Sequence, residues 1–143
     1  MNINFVEAEN LTTKNISKTL KNADAILIPG GFGERGIEGM ILACKFSREN
    51  DIPYLGICLG MQVAIIEYAR NVLKLKGANS TEFNHDTKHP VIGLITEWSD
   101  ISGKKETRSK NSDLGGTLSM GRQKCKLKKE SNSYRMYKES EKI

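Results

Sequence analysis

The first half of the chain alternates short apolar runs with longer segments whose apolar positions fall three or four apart. Ile3 to Glu7 alternates apolar and polar residues and predicts a short strand. Thr12 or Thr13 is placed to cap a helix reaching about Lys21, with Ile16 and Leu20 on one face. The run from Ala23 to Ile28 predicts a strand, stopped by Pro29-Gly30-Gly31-Phe32-Gly33. A helix is expected from Glu34 or Gly36 to Asn50, with Ile37, Ile41 and Cys44 as its apolar stripe. Tyr54 to Ile57 predicts another strand, which passes through Cys58 into a helix over Leu59 to Leu73. Ala64, Ile65, Tyr68 and Val72 form the face expected to point inward in that helix.

Apolar strands alternating with amphipathic helices imply a parallel sheet covered on both faces, an α/β flavodoxin-like class. Functional groups in such sheets gather beyond the carboxyl ends of the strands. Gly30-Gly31 and Cys58 both stand at such ends.

Beyond Gly77 the pattern changes. Ala78 to Pro90 reads as a polar loop, Val91 to Trp98 as a strand, and Asp100 to Asp113 as a charged connection. Leu118 to Leu127 predicts a further strand, and Glu130 to Ile143 a short helix or a frayed end. There is no internal repeat.

The strand–cysteine–helix junction carries the chemistry. Gly56-Ile57-Cys58-Leu59-Gly60 has the G-x-C-x-G spacing of a nucleophile elbow, a sharp turn that exposes one reactive side chain. The flanking glycines let two backbone segments approach closely. A thiol there faces unpaired N–H groups and the positive end of a helix dipole, which favour the thiolate. Cysteine attack on an amide carbonyl also needs donors for the developing oxyanion and a group that moves protons. The Gly30-Gly31 loop offers one backbone donor, and the N–H of Leu59, one residue past the nucleophile, offers the other. His85 and His89 are the two histidines, both in the polar loop, and neither is placed by the pattern beside Cys58. The plain structural alternative is a buried cysteine at a strand–helix junction.

A chain of 143 residues is one domain's worth, organised here as an α/β part over about 1–100 and a basic part over about 101–143. Residues 1–100 carry 12 acidic and 10 basic side chains, whereas 101–143 carry 12 basic and 5 acidic. Those lysines partly alternate with apolar residues, as on a solvated strand face, so no nucleic-acid partner is expected. No apolar run is long enough to span a bilayer. Three cysteines without metal-like spacing fit a reducing, cytoplasmic setting.

Several strings together resemble one family. They are Pro29 to Gly33, Arg35-Gly36, Glu38 to Met40, Asn50, Ile52 to Gln62, Asn79-Ser80-Thr81-Glu82-Phe83, Leu94 to Trp98 and Ser112 to Thr117. They resemble the class I (triad) glutamine amidotransferase domain of CTP synthases, from about Ile3 to Tyr137. The elbow carries the resemblance to the amidotransferase class; the Asn79–Phe83 and Asp113–Thr117 strings narrow it to CTP synthases. The resemblance implies glutamine hydrolysis through a glutamyl thioester on Cys58, with oxyanion donors at Gly31 and Leu59. It further implies a glutamine site lined by Gly31, Leu59, Gly60, Met61, Gln62 and Glu82. The carboxylate of Glu82 suits the substrate's α-ammonium group. Ammonia would pass to a synthetase domain that makes CTP from UTP. That domain would hold ATP and magnesium and carry any oligomer contacts, leaving this chain without a cofactor or metal of its own.

By the same resemblance the chain is a partial domain, truncated at both ends. It lacks a first strand and helix and the later histidine–glutamate segment, so that alone it would not turn over. Two other readings stay open: a non-catalytic remnant or binding module, and a cysteine hydrolase of similar fold.

Overall fold

The computed structural model describes residues 1–93, 97–99, 105–107, 125–138 and 141–142. The chain divides into two units, Met1–Ile95 and Thr96–Ile143.

In the first unit, α1 (Ile16–Leu20) leads to β1 (Ile26–Ile28), α2 (Ile37–Glu49), β2 (Tyr54–Gly56) and α3 (Leu59–Asn71). β1 and β2 are parallel, with Ile26 opposite Tyr54, Leu27 opposite Leu55 and Ile28 opposite Gly56. β3 (Asn79–Ser80) pairs in parallel with β4 (Pro90–Ile92). The parallel pairing of β1 with β2 follows from the β–α–β connection, because α2 returns the chain to the same end of the sheet. The core is continuous from Leu11 and Leu20 through Ile26, Ile28, Ile37 and Ile41 to Leu59, Val63 and Ile66. Leu27 and Leu55, on the other side of the sheet, are exposed.

Ile37, Ile41 and Cys44 are buried on α2 as the periodicity predicts. The inward face of α3 differs from the expected one. Leu59, Val63, Ile66 and Ala69 are buried; Ile65, Tyr68 and Val72 are exposed, and Ala64 is half-buried. The helix has apolar residues on two sides. The side that packs inward holds Glu67, whose charge disguised the stripe. That carboxylate is buried and takes two arms of the Arg48 guanidinium, Nη2 donating to Oε1 at 2.8 Å and Nε to Oε2 at 3.1 Å. The pair ties the last turn of α2 to α3.

Ile3–Glu7 forms no strand. Phe5 is 94% exposed, and no described strand lies alongside to take up its backbone bonds. Alternation provides two faces, but a strand persists only with a paired neighbour and a surface to cover. A 3₁₀ turn, Ala8–Asn10, follows instead and docks on α2 where Gly39 lacks a side chain; a Cβ there would overlap the Ala8 carbonyl. The helix expected from Thr12 or Thr13 begins at Ile16, because the Asn15 side chain accepts from the Thr12 N–H and closes the preceding turn.

In the second unit, β5 (Glu97–Ser99) pairs antiparallel with β6 (Lys105–Thr107), and β7 (Cys125–Lys126) with β8 (Glu141–Lys142). The strand expected over Val91–Trp98 is two strands, β4 and β5, with 94–96 outside the described residues. The charged connection expected over Asp100–Asp113 contains β6, and the strand expected over Leu118–Leu127 is described only at β7. The remainder of both stretches, including the Asp113–Thr117 string, lies outside the described residues. α4 (Asn132–Tyr137) is the helix expected in the final segment, capped by the Ser131 hydroxyl accepting from the Tyr134 N–H.

The core has a titratable consequence. Burial, with the Glu67 charge nearby, pushes the Cys44 thiol from its ordinary 9.0 up to about 11, and burial raises the Tyr54 phenol in the same direction. The folded chain therefore keeps protons that the unfolded chain releases, so stability is full below pH 9 and falls as pH rises towards about 11. The expected loss is about 2–3 kcal/mol, measured by urea unfolding at about pH 8 and about pH 10.5. Cys44→Ser flattens the dependence.

Candidate active site

The junction of β2 and α3 is a strained turn. Cys58 occupies the cap position of α3 with φ 54° and ψ −103°, in the region that non-glycine residues rarely adopt. Holding it there costs about 1–3 kcal/mol, which the surroundings must offset. They do so by backbone packing. The Ile57 N–H donates to the Ile28 carbonyl at 2.9 Å, and the Gly60 N–H turns back to the Ile57 carbonyl at 3.0 Å. The result is an exposed Cys58 side chain followed directly by two buried residues, Leu59 and Gly60.

The two glycines of the motif have separate steric reasons. A Cβ on Gly60 would sit 2.2 Å from the Ile28 carbonyl oxygen, and one on Gly56 would sit 2.4 Å from the Gly60 carbonyl carbon. Strand β1, strand β2 and the first turn of α3 are thus packed backbone to backbone, which only glycine permits.

The glycine loop after β1 faces this turn. A Cβ built on Gly30 would contact the Cys58 Cβ at 3.4 Å, and one on Gly31 would approach the Leu59 side chain at 3.2 Å. Among the described residues, neither the Gly31 N–H nor the Leu59 N–H is hydrogen-bonded within the chain. Two backbone donors are therefore unclaimed on the two segments that meet at the thiol.

Glu82 comes to the same loop from 49 positions away. Its Oε1 accepts from the Gly33 N–H at 3.2 Å, while the Ser80 hydroxyl fixes the Glu82 backbone N–H at 3.1 Å. The segment over 78–90, expected as a plain loop, holds β3, and pairing of β3 with β4 carries it back over the strand ends. One Glu82 oxygen remains for a ligand. Gln62, on the first turn of α3, has its amide oxygen buried without a partner. Met61 is exposed beside it. All seven residues singled out by sequence thus fall on three segments of one unit: the glycine loop, the elbow turn and the Glu82 loop.

His85 is exposed and His89 half-buried, and neither ring is hydrogen-bonded to Cys58 among the described residues. Within the glycine loop, which the sequence pattern placed at this strand end, the structure separates the members. Gly30, rather than Gly31, makes the closest approach to Cys58, and Gly33 is the loop donor to Glu82. Nothing in the glycine string distinguishes its members, because backbone contact leaves no side-chain signature. All three cysteines, Cys44, Cys58 and Cys125, are free. Among the described residues there is no cluster of metal-ligating side chains and no helix long and apolar enough to cross a membrane.

Known proteins share this sequence pattern and fold. The family profile "Glutamine amidotransferase class-I" matches residues 1–140. A solved structure, the glutaminase domain of Trypanosoma brucei CTPS with bound acivicin, superposes with a TM-score of 0.72 at 33% identity. The match covers 98% of this chain and 50% of that one, so the chain spans about half the length of that relative. The elbow, the glycine loop and the family match agree: this chain belongs to the class I glutamine amidotransferases.

Proposed function

We propose that Cys58 is the nucleophile of a glutamine-hydrolysing site, and that the ammonia released serves a CTP synthase reaction. The observation that carries this reading is the strained backbone of Cys58 at the strand-to-helix turn, set against the Gly30 backbone. A cost of that kind is retained where it aims a reactive group.

The Cys58 sulfur attacks the γ-carboxamide carbon of glutamine, and the carbonyl oxygen takes up the electron pair as an oxyanion. The Gly31 and Leu59 N–H groups receive it, each such donor being worth about 10²–10³ in rate. Collapse breaks the C–N bond; the leaving nitrogen takes a proton and departs as ammonia, leaving a γ-glutamyl thioester. Water then opens the thioester to glutamate and restores the thiol. Glu82 holds the α-ammonium group, and Gly60, Met61 and Gln62 line the side-chain path.

Neither His85 nor His89 is bonded to Cys58, so in this reading the proton-moving group is not one of these two residues. Positioned acid–base groups contribute about 10²–10⁴ in rate. The chain by itself is therefore expected to acylate slowly and to release little glutamate. A synthetase partner that aminates UTP consumes the ammonia, and that partner holds ATP and magnesium. The setting is the cytoplasm. This part of the reading rests on the CTPS relative and the motif strings.

Glutamine protection tests the site. Bound glutamine or acivicin is expected to slow alkylation of Cys58 by iodoacetamide, read by peptide mass. Glu82→Gln removes a charge-assisted contact and is expected to weaken that protection about 10- to 100-fold in ligand concentration. Equal alkylation rates with and without ligand in the wild-type chain contradict a glutamine site at Cys58.

A further inference from the structure

One polar side chain beneath the elbow is not used by the mechanism above. Tyr54 lies on β2, and its hydroxyl donates to the Gly60 carbonyl at 2.7 Å. Gly60 is two residues past the nucleophile, in the turn whose N–H groups surround the thiol. We propose that Tyr54 is a positioning residue for Cys58 chemistry: it pins the first turn of α3 so that the Leu59 N–H stays aimed at the reacting carbonyl. The proposal rests on the glutaminase reading.

The local geometry supports the role. Tyr54 and Gly56 are two apart on a strand, so they address the same side of the sheet. The absent Gly56 side chain lets the Gly60 carbonyl descend onto β2, and the Tyr54 hydroxyl meets it there. A carbonyl oxygen has two lone pairs, so this bond does not compete with the helical bond that the same oxygen accepts. The Cys44 thiol on α2 lies near the same hydroxyl. The contact therefore runs from α2 through β2 to the turn next to the nucleophile. Ring packing alone would hold the helix against the sheet. The hydroxyl adds a fixed depth and rotation for the turn.

Two reagents separate positioning from simple structural support. A glutamine-mimicking diazoketone is first attacked at its carbonyl carbon, where the oxygen takes up the electron pair, before the sulfur moves to the diazo carbon as a proton is gained from solvent and N2 leaves, so its rate depends on the backbone donors; iodoacetamide loses iodide by direct displacement and needs only an accessible thiol. Tyr54→Phe is expected to slow diazoketone labelling of Cys58 about 5- to 10-fold, the effect of one hydrogen bond. Iodoacetamide labelling of Cys58 is expected to stay within about twofold, and Cys44 to stay unlabelled, reporting an intact core. Tyr54→Met, which also lacks the hydroxyl, is expected to give the same ratio of the two rates. An unchanged ratio in both variants, or equal slowing by both reagents, overturns the positioning role. A wild-type Cys58 that reacts with iodoacetamide but not with the diazoketone overturns the glutaminase reading and this proposal with it.

Discussion

Replacing Arg48 with leucine is expected to lower the unfolding free energy by about 3–5 kcal/mol, towards the lower end because water reaches one side of the guanidinium. The partner carboxylate of Glu67 is 2% exposed, against 36% for Arg48. Removing the guanidinium leaves an uncompensated charge inside the contact between α2 and α3. The reverse comparison makes the cause testable. Replacing both residues by leucine removes the charge as well as its partner and is expected to be far less damaging than Arg48→Leu alone. Urea unfolding of the single and double variants measures the difference. A double variant as unstable as the single would mean that lost side-chain packing, not the stranded carboxylate, dominates.

Gly60→Ala is expected to carry the largest effect on chemistry. The new methyl group would meet the Ile28 carbonyl oxygen at 2.2 Å, and that oxygen is backbone already bonded to the Ile57 N–H. Neither partner can rotate away, so the start of α3 must move off β1. Overpacking of this kind costs about 1–3 kcal/mol in stability. The shift also takes Cys58 and the Leu59 N–H away from the glycine loop. A displacement of about 1 Å in such a constellation costs about 100-fold in rate, read here as diazoketone labelling of Cys58. Gly93→Ala is the control: a Cβ there meets nothing within 4 Å, and labelling is expected to be unchanged. Matching losses in both variants would mean that the tight contact at Gly60 is not what orders the elbow.

The elbow was legible in the sequence because its requirements are backbone requirements with a fixed spacing. A strand must end, a thiol must follow, and glycines must flank it; the contacts of Gly56 and Gly60 are the physical form of that spacing. The glycine loop was legible for the same reason, as was the stripe of Ile37, Ile41 and Cys44 on α2. The inward face of α3 was not. Two apolar stripes run along that helix, and the choice between them depends on Glu67, which pattern reading counts as solvent-facing until its partner on α2 is known. Ile3–Glu7 had strand-like alternation, but alternation says nothing about a neighbouring backbone to pair with. The place of Glu82 came from resemblance to a family, since no local periodicity brings a residue back across 49 positions to a glycine N–H. Tyr54 stood inside the motif without a role, because its use is a hydrogen bond to a carbonyl that sequence does not display.

The central claim is that Cys58, and not another thiol of this chain, is an elbow nucleophile shaped for glutamine. Incubation with the glutamine-mimicking diazoketone, followed by peptide mass analysis, tests it most directly. The account predicts one adduct per chain, on Cys58, suppressed by excess glutamine and absent from Cys58→Ala, with Cys44 and the exposed Cys125 unmodified. Modification of Cys125 with Cys58 untouched, or labelling of Cys58 that glutamine does not slow, would contradict it.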